Sequence, residues 1–307
     1  PVAEFSIALR PFTAQGFATG FASSGAGIGP MALAQAPDGT VVVSGGAARN
    51  ELYRFNPRTG GAADSASHWV TLDQPVSNVA FDGAGRLWAT TLGGPLLQLD
   101  PTTGGVLHRF GDGLNIALAI QPTTGLIYVS SGSGVEIFNP ETGSFTHYSR
   151  DENLRVASLA FAPNGTLWAT TWPDRRQVVR FDERARARVM ITFDSDIDSL
   201  AFGQANTPLE NLLFVSHAAG PGTPAGSPTP TGSELTMIDT ATLTSVVVAR
   251  QGTRGGVLLA TAAGQLLISQ SHQVDLLDPI IAPAVVATNP PSQAVAVLPL
   301  GAISVTF

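Results

Sequence analysis

The chain contains no cysteine and no lysine, and only 13% of its 307 residues are charged. Without cysteine there can be no disulfide, thiolate metal site or cysteine nucleophile, and the composition suits a cytosolic or a bacterial exported protein equally. All 16 basic residues are arginine, which beside 33 Gly and 22 Pro reads as a coding bias and not as a function. The formal charge of −7 and the lack of an evident basic cluster argue against nucleic acid as a partner. No apolar run reaches the ~18 residues that span a bilayer, so no membrane span is expected in this chain. The start, Pro1-Val2-Ala3-Glu4, lacks a signal-peptide pattern and reads as a processed product or a piece of something longer. Metalloprotease, Walker and nucleophile-elbow motifs are missing too. Gly25-Ala26-Gly27-Ile28-Gly29 is glycine-rich, but Pro30 and a strand follow it, leaving no helix N-terminus to hold phosphate. The five histidines, His68, His108, His147, His217 and His272, are scattered and are expected to be surface residues.

What the chain does have is a repeat. Phe81 to Thr91 and Phe161 to Thr171 are near-copies, each a strand, a glycine turn and a second strand, with Trp88 and Trp168 set 80 positions apart. A weaker copy, Ile120 to Ser131, lies halfway, so Gly85, Gly125 and Gly165 fall at intervals of 40. A period of about 40 built from short strands predicts an all-β propeller, one repeat to a blade. Six repeats can be traced, starting near Met31, Val76, Ile116, Val156, Ile197 and Gly256. Each opens on an apolar strand around a Leu/Val-Ala step such as Leu118-Ala119 or Leu159-Ala160, as expected of inner strands packed on both faces. Third strands end in turns of one kind, Asn56 to Gly60, Asp100 to Gly104 and Asn139 to Gly143. There the Asx side chain opens the turn, proline presets φ and glycine takes the left-handed position.

The sixth repeat stops after three strands at Asp278-Pro279. The alternating stretch Glu4 to Arg10 is the candidate for its missing outer strand, because an unpaired edge invites aggregation. Phe5 to Leu9 should therefore pair near Val274 to Leu277, closing residues 1–279 into a six-bladed propeller. Residues 280–307 are a proline-broken linker followed by two apolar strands, Pro290 to Phe307. Their pattern resembles the opening of a bacterial immunoglobulin-like domain, which implies a longer parent protein.

The repeats resemble the broad superfamily of six- and seven-bladed propellers that includes NHL-repeat proteins, gluconolactonases and virginiamycin B lyase. The motifs that carry this are Pro37 to Val43, Gly85 to Thr90 and Leu99 to Gly104, which are signatures of fold and leave function open. Gluconolactonase resemblance would imply a divalent metal on the axis, anchored by a Glu just before a Gly-Pro at the first inner strand. Ile28 stands in that place, before Gly29-Pro30, although Asn78, Asn115 and Asp198 could imitate the other ligands. Lyase resemblance would call for a Glu-x-His pair, and none occurs.

Function is expected on the face where loops vary. Candidates there are Arg175 and Arg176 in the loop of the fourth repeat, and Thr223 and Thr229 in the Pro/Thr-rich loop of the fifth, a contact arm, an acceptor for O-linked sugar or an insertion without a role. Asp194, Asp196 and Asp198 form the most unusual charge pattern. At strand spacing they would share one side, relieved either by solvent with Arg155, Arg175 or Arg176, or by a hard cation such as calcium. Asp73 and Asp112 stand six residues before Val79 and Leu118, as Asp194 does before Leu200, which predicts a negative rim around one channel mouth. The resulting expectation is a non-catalytic interaction or assembly module of a larger exported bacterial surface or extracellular protein, with a protein or glycan partner at the variable loops. The alternative is a metal-dependent lyase or lactonase of the propeller superfamily.

Overall fold

In the computed structural model, residues 1–172, 175–219, 232–280, 287–289 and 304–306 are described. Every regular element among them is a strand. The first repeat gives a four-stranded meander, Leu33–Gln35, Val41–Ser44, Glu51–Phe55 and His68–Thr71. The second and third repeats form one seven-stranded sheet from Asn78–Phe81 to Ser144–His147, because strand Val106–Ile120 is the outer strand of one and the inner strand of the next. The fourth repeat is a meander from Val156–Phe161 to Ala187–Thr192. The fifth runs from Ile197–Phe202 to Ser245–Gly252, with Ile7–Ala8 added at its outer edge. Inner strands pack side by side in sequence order, and Leu258–Ala260 of the sixth repeat returns to Leu33–Gln35 of the first, giving a propeller-like ring.

An N-terminal strand closes this ring, but it is not the expected one. Phe12–Thr19 pairs antiparallel with Gln273–Pro279, from Phe12 opposite Pro279 to Thr19 opposite Gln273. The stretch Glu4 to Arg10 contributes only Ile7–Ala8, which pairs with Ala249 and Arg250 of the fifth repeat. A register shift between Gly16 and Ala18 breaks the alternation of the true closing strand and hides it from a period-two reading. The buried Asp275 carboxylate fixes the segment before it, accepting from the amides of Glu4 at 3.1 Å and Phe5 at 2.9 Å and from Gln273 Nε2 at 2.6 Å. Burial pushes its pKa up against those three hydrogen bonds.

Apolar clusters lie between neighbouring repeats, as wedge-shaped sheets require. Trp88 packs with Leu96, Leu118, Ile127 and Phe138, joining the second repeat to the third. Trp168 packs with Val178, Ile197, Leu200 and Phe202, joining the fourth to the fifth. The two indoles thus occupy equivalent buried places, 1% and 3% exposed. Second strands carry a buried hydroxyl at or near their ends in every repeat: Ser44, Thr90, Ser130, Thr170, Ser216 and Ser269. Ser44, Ser130 and Ser269 accept from the amides of Ala32, Ala117 and Val257, which stand in or immediately before the inner strands of their own repeats. Thr90 and Ser216 instead donate to Ile116 and Gly256 at the start of the next.

Candidate functional site

The inner strands enclose a channel. At the end bounded by the first-hairpin turns, a hollow of about 810 Å³ is lined by apolar steps of the inner strands, among them Leu33, Val79, Leu118, Leu159 and Leu200. The opposite mouth differs in chemistry. Ile28, Met31, Asn78, Trp172, Asp198 and Arg254 line a space of about 210 Å³, continuous in its lining with a smaller recess of about 100 Å³ that adds Asp196, Ser233 and Thr253. Polar groups of both signs and a half-exposed indole therefore meet at this mouth alone among the described hollows of the axis.

Each group has a local reason to be there. Ile197 and Ser199 are buried, while Asp198, the extra residue at a register shift between them, lines the channel. Gly256, at φ +95°, backs onto Asp198: a Cβ there would lie 2.7 Å from Oδ2. Solvent reaches the Asp198 carboxylate along the channel, yet protein surrounds it. That enclosure raises its pKa to about 7, with the Arg254 charge opposing the rise and Asp196 adding to it. Arg254 is anchored by donating from Nη1 to Ala26 O at 2.7 Å. Trp172 is placed by its amide, which donates to Arg155 O at 3.2 Å, and is 49% exposed.

Asp194, Asp196 and Asp198 are not gathered as strand spacing predicts. The strand begins at Ile197, so Asp194 and Asp196 lie in the bend before it. Arg176 satisfies that bend, donating from Nε to Asp196 Oδ1 at 2.7 Å and from Nη1 to Asp194 O at 3.3 Å. Arg175 turns elsewhere, to Asp151 at 3.3 Å. Asp73 is paired with Arg109, and Asp112 is exposed and accepts from the amide of Gly113. Thr223 and Thr229 lie outside the described residues.

A divalent ion on the axis, as the gluconolactonase resemblance implies, does not fit these donors. Ile28 stands in the mouth where the anchoring carboxylate would be, Asp198 is the one carboxylate lining that space among the described residues, Asp196 lies in the adjoining recess paired with Arg176, and the Arg254 guanidinium shares both. Among the described residues no three His, Asp or Glu side chains lie close enough to hold a metal.

His217 departs from the surface expectation. It is buried, with Nδ1 3.0 Å from Ser195 Oγ and Nε2 2.8 Å from Thr236 Oγ1, and burial holds its pKa down. Its burial comes from tertiary neighbours, the Phe193 ring with Ser195 and Thr236, which no local sequence signal reveals. His147, as expected, is an exposed residue of an outer strand, and Glu136 raises its pKa.

No family model matches the chain, and no curated protein matches it. Among solved structures it is similar to a streptogramin B lyase, at 14% identity and a TM-score of 0.57, covering 87% of this chain and 97% of that one. A chain of the Kuenenia stuttgartiensis hydrazine synthase is 18% identical with a TM-score of 0.58, covering 82% of this chain and 77% of that one. Virginiamycin B lyase from Staphylococcus aureus is 12% identical with a TM-score of 0.54, covering 87% and 99%. At such identities the likeness is one of fold. The chain is an all-β propeller protein whose structural neighbours include virginiamycin B lyase-like propellers.

Proposed function

We propose that this chain is a non-catalytic recognition module that takes a glycan or protein partner at the mouth around Trp172, as part of a larger exported bacterial surface or extracellular protein. A count of six blades is part of this reading, supported by the six sequence repeats and by the long strand Val106–Ile120, which serves two of them. The observation that carries the reading is the half-exposed Trp172 indole beside Asp196, Asp198, Ser233, Thr253 and Arg254. A flat apolar ring beside convergent polar groups is the chemistry that stacks on a sugar face and hydrogen-bonds its hydroxyls, so the mouth favours a glycan. For the larger parent, support comes from the tail: Ala287–Asn289 pairs antiparallel with Ser304–Thr306, as the first two strands of an immunoglobulin-like domain would.

A glycan array probed with the parent and with Trp172→Ala tests the reading. Saturable binding to a defined glycan, lost in the variant without a change in melting temperature, is the expected result. Binding indifferent to Trp172 would sink it.

A lyase or lactonase is the second reading, favoured by Asp198, which near neutral pH can both give and take a proton. The donor set of the mouth opposes its metal-dependent form. Incubating the purified protein with a streptogramin B and with simple lactones separates the two: turnover abolished by Asp198→Asn would replace the first reading with the second.

A further inference from the structure

The outer edge of the fourth repeat concentrates positive charge that composition conceals. Strand Gln177–Phe181 pairs antiparallel with Ala187–Thr192, and the register sets Arg180 directly opposite Arg188. Like charges directly opposed on one sheet face repel, their Cβ atoms standing about 5 Å apart. Arg186, two positions before Arg188, adds a third guanidinium, and Arg184 a fourth. Together these line an open hollow of about 460 Å³ with Thr166 and Asp182. Arg186 also lines an adjoining hollow of about 290 Å³ with Arg150, Arg175 and Asp151.

The local acids neutralise only part of this edge. Asp182 is committed to its own turn: Oδ1 accepts from the amides of Arg184 and Arg186, at 2.9 and 3.0 Å, and Oδ2 pairs with Arg188 at 3.1 Å. Asp151 pairs with Arg175. Arg180, Arg184 and Arg186 have no ion pair among the described residues. Six guanidinium groups thus line two joined hollows against the three carboxylates of Asp151, Asp182 and Glu183, on a chain whose total charge is −7.

We propose that this edge binds an acidic polysaccharide, its carboxylate or sulfate groups on successive sugars seated in the two hollows that share Arg186. Guanidinium groups match such oxyanions in a planar, two-pronged way. Two features favour a glycan over nucleic acid. The one aromatic lining either hollow, Phe181, is 2% exposed and offers no ring for base stacking. The positive track is short, whereas duplex binding needs many phosphate contacts. The surface is separate from the channel mouth and does not depend on its ligand.

Fluorescein-labelled alginate, a polyuronate, and labelled dextran sulfate, followed by anisotropy at low salt, provide the test. Saturable binding is expected, uncompeted by neutral dextran and weakening as salt rises. Arg180→Ala with Arg188→Ala should weaken it at least about tenfold while the melting temperature stays near the parent's, and the paired lysine variants should recover part of it. Arg58→Ala, in an exposed turn of the first repeat, should leave it unchanged. Three results would overturn the proposal: no binding by the parent, equal binding by the double alanine variant, or tighter competition by a dT oligonucleotide or by polyglutamate than by unlabelled alginate.

Discussion

Trp88 donates from its indole Nε1 to the buried carboxylate of Asp82 at 3.0 Å, while the equivalent Trp168 faces Ala162 at the position matching Asp82. Near-identical sequences therefore build one interface with a charge-assisted bond and one without. Asp82 also accepts from Arg86 Nε at 2.6 Å and from the amides of Ala84 and Arg86. Burial would raise its pKa, but the Trp88 and Arg86 hydrogen bonds outweigh burial and hold it below the usual carboxylate range.

Trp88→Phe should consequently cost about 1–2 kcal/mol more than Trp168→Phe, the excess being the donor withdrawn from a buried carboxylate. Urea denaturation of both variants measures it, and equal losses would contradict the assignment. Because the folded pKa of Asp82 is depressed, its contribution is present above the ordinary carboxylate value of 3.8 and lost as pH falls through the lower folded value. Asp82→Asn should therefore flatten the acid limb of the stability profile.

Asp198 has the opposite sign. Its pKa rises from 3.8 to about 7 on folding, so its contribution is fullest below 3.8 and is lost as pH rises through about 7. Asp198→Asn should melt above the parent at pH 8 and with it below pH 4. Melting curves across that range check the claim, and an ordinary carboxylate titration by carbon NMR would refute it.

Truncation separates the clasp from the segment leading into it. Removing residues 1–10 leaves Phe12–Thr19 paired but strips the buried Phe5 and two amide donors from Asp275. The expected loss is about 3 kcal/mol, from burial and from a carboxylate left under-bonded. Removing residues 1–19 opens the ring and should abolish cooperative unfolding by circular dichroism.

Close backbone approach decides the last prediction. A Cβ on Gly29 would lie 1.8 Å from Gln270 O, whereas one on Gly83 would meet nothing within 4 Å. Gly29→Ala should destabilise by at least about 1–3 kcal/mol through forced backbone shifts, and Gly83→Ala by less than about 0.5. Thermal melts of the two variants make the comparison.

The propeller was legible because its evidence is local and repeated: turn glycines 40 apart, paired tryptophans, and Asx-Pro turns between short apolar runs. The closing strand was half legible. A missing strand and an N-terminal donor could be inferred, but the clean alternation of Glu4 to Arg10 outcompeted Phe12–Thr19, whose bulge puts Phe17 and Ala18 both into the core. Site geometry was less accessible still. Spacing of two holds only within a strand, and the start of that strand at Ile197 depends on Arg176 tying down the bend before it. The arginines of 180–188 are plain in the sequence, but their clustering on a chain of net charge −7 depends on the strand register that sets Arg180 against Arg188.

The clasp also determines how the molecule would respond to tension. Phe12 lies opposite Pro279, so the chain enters and leaves the closing pair at the same end. A force applied across the two ends, after stripping residues 1–11 from their supports, would pull the strands apart one rung at a time and not load all their hydrogen bonds in shear. Strand Val106–Ile120, shared by two repeats, offers no comparable starting point. Under mechanical load the ring would open at its seam, at a rate set by unfolding kinetics and not by equilibrium stability.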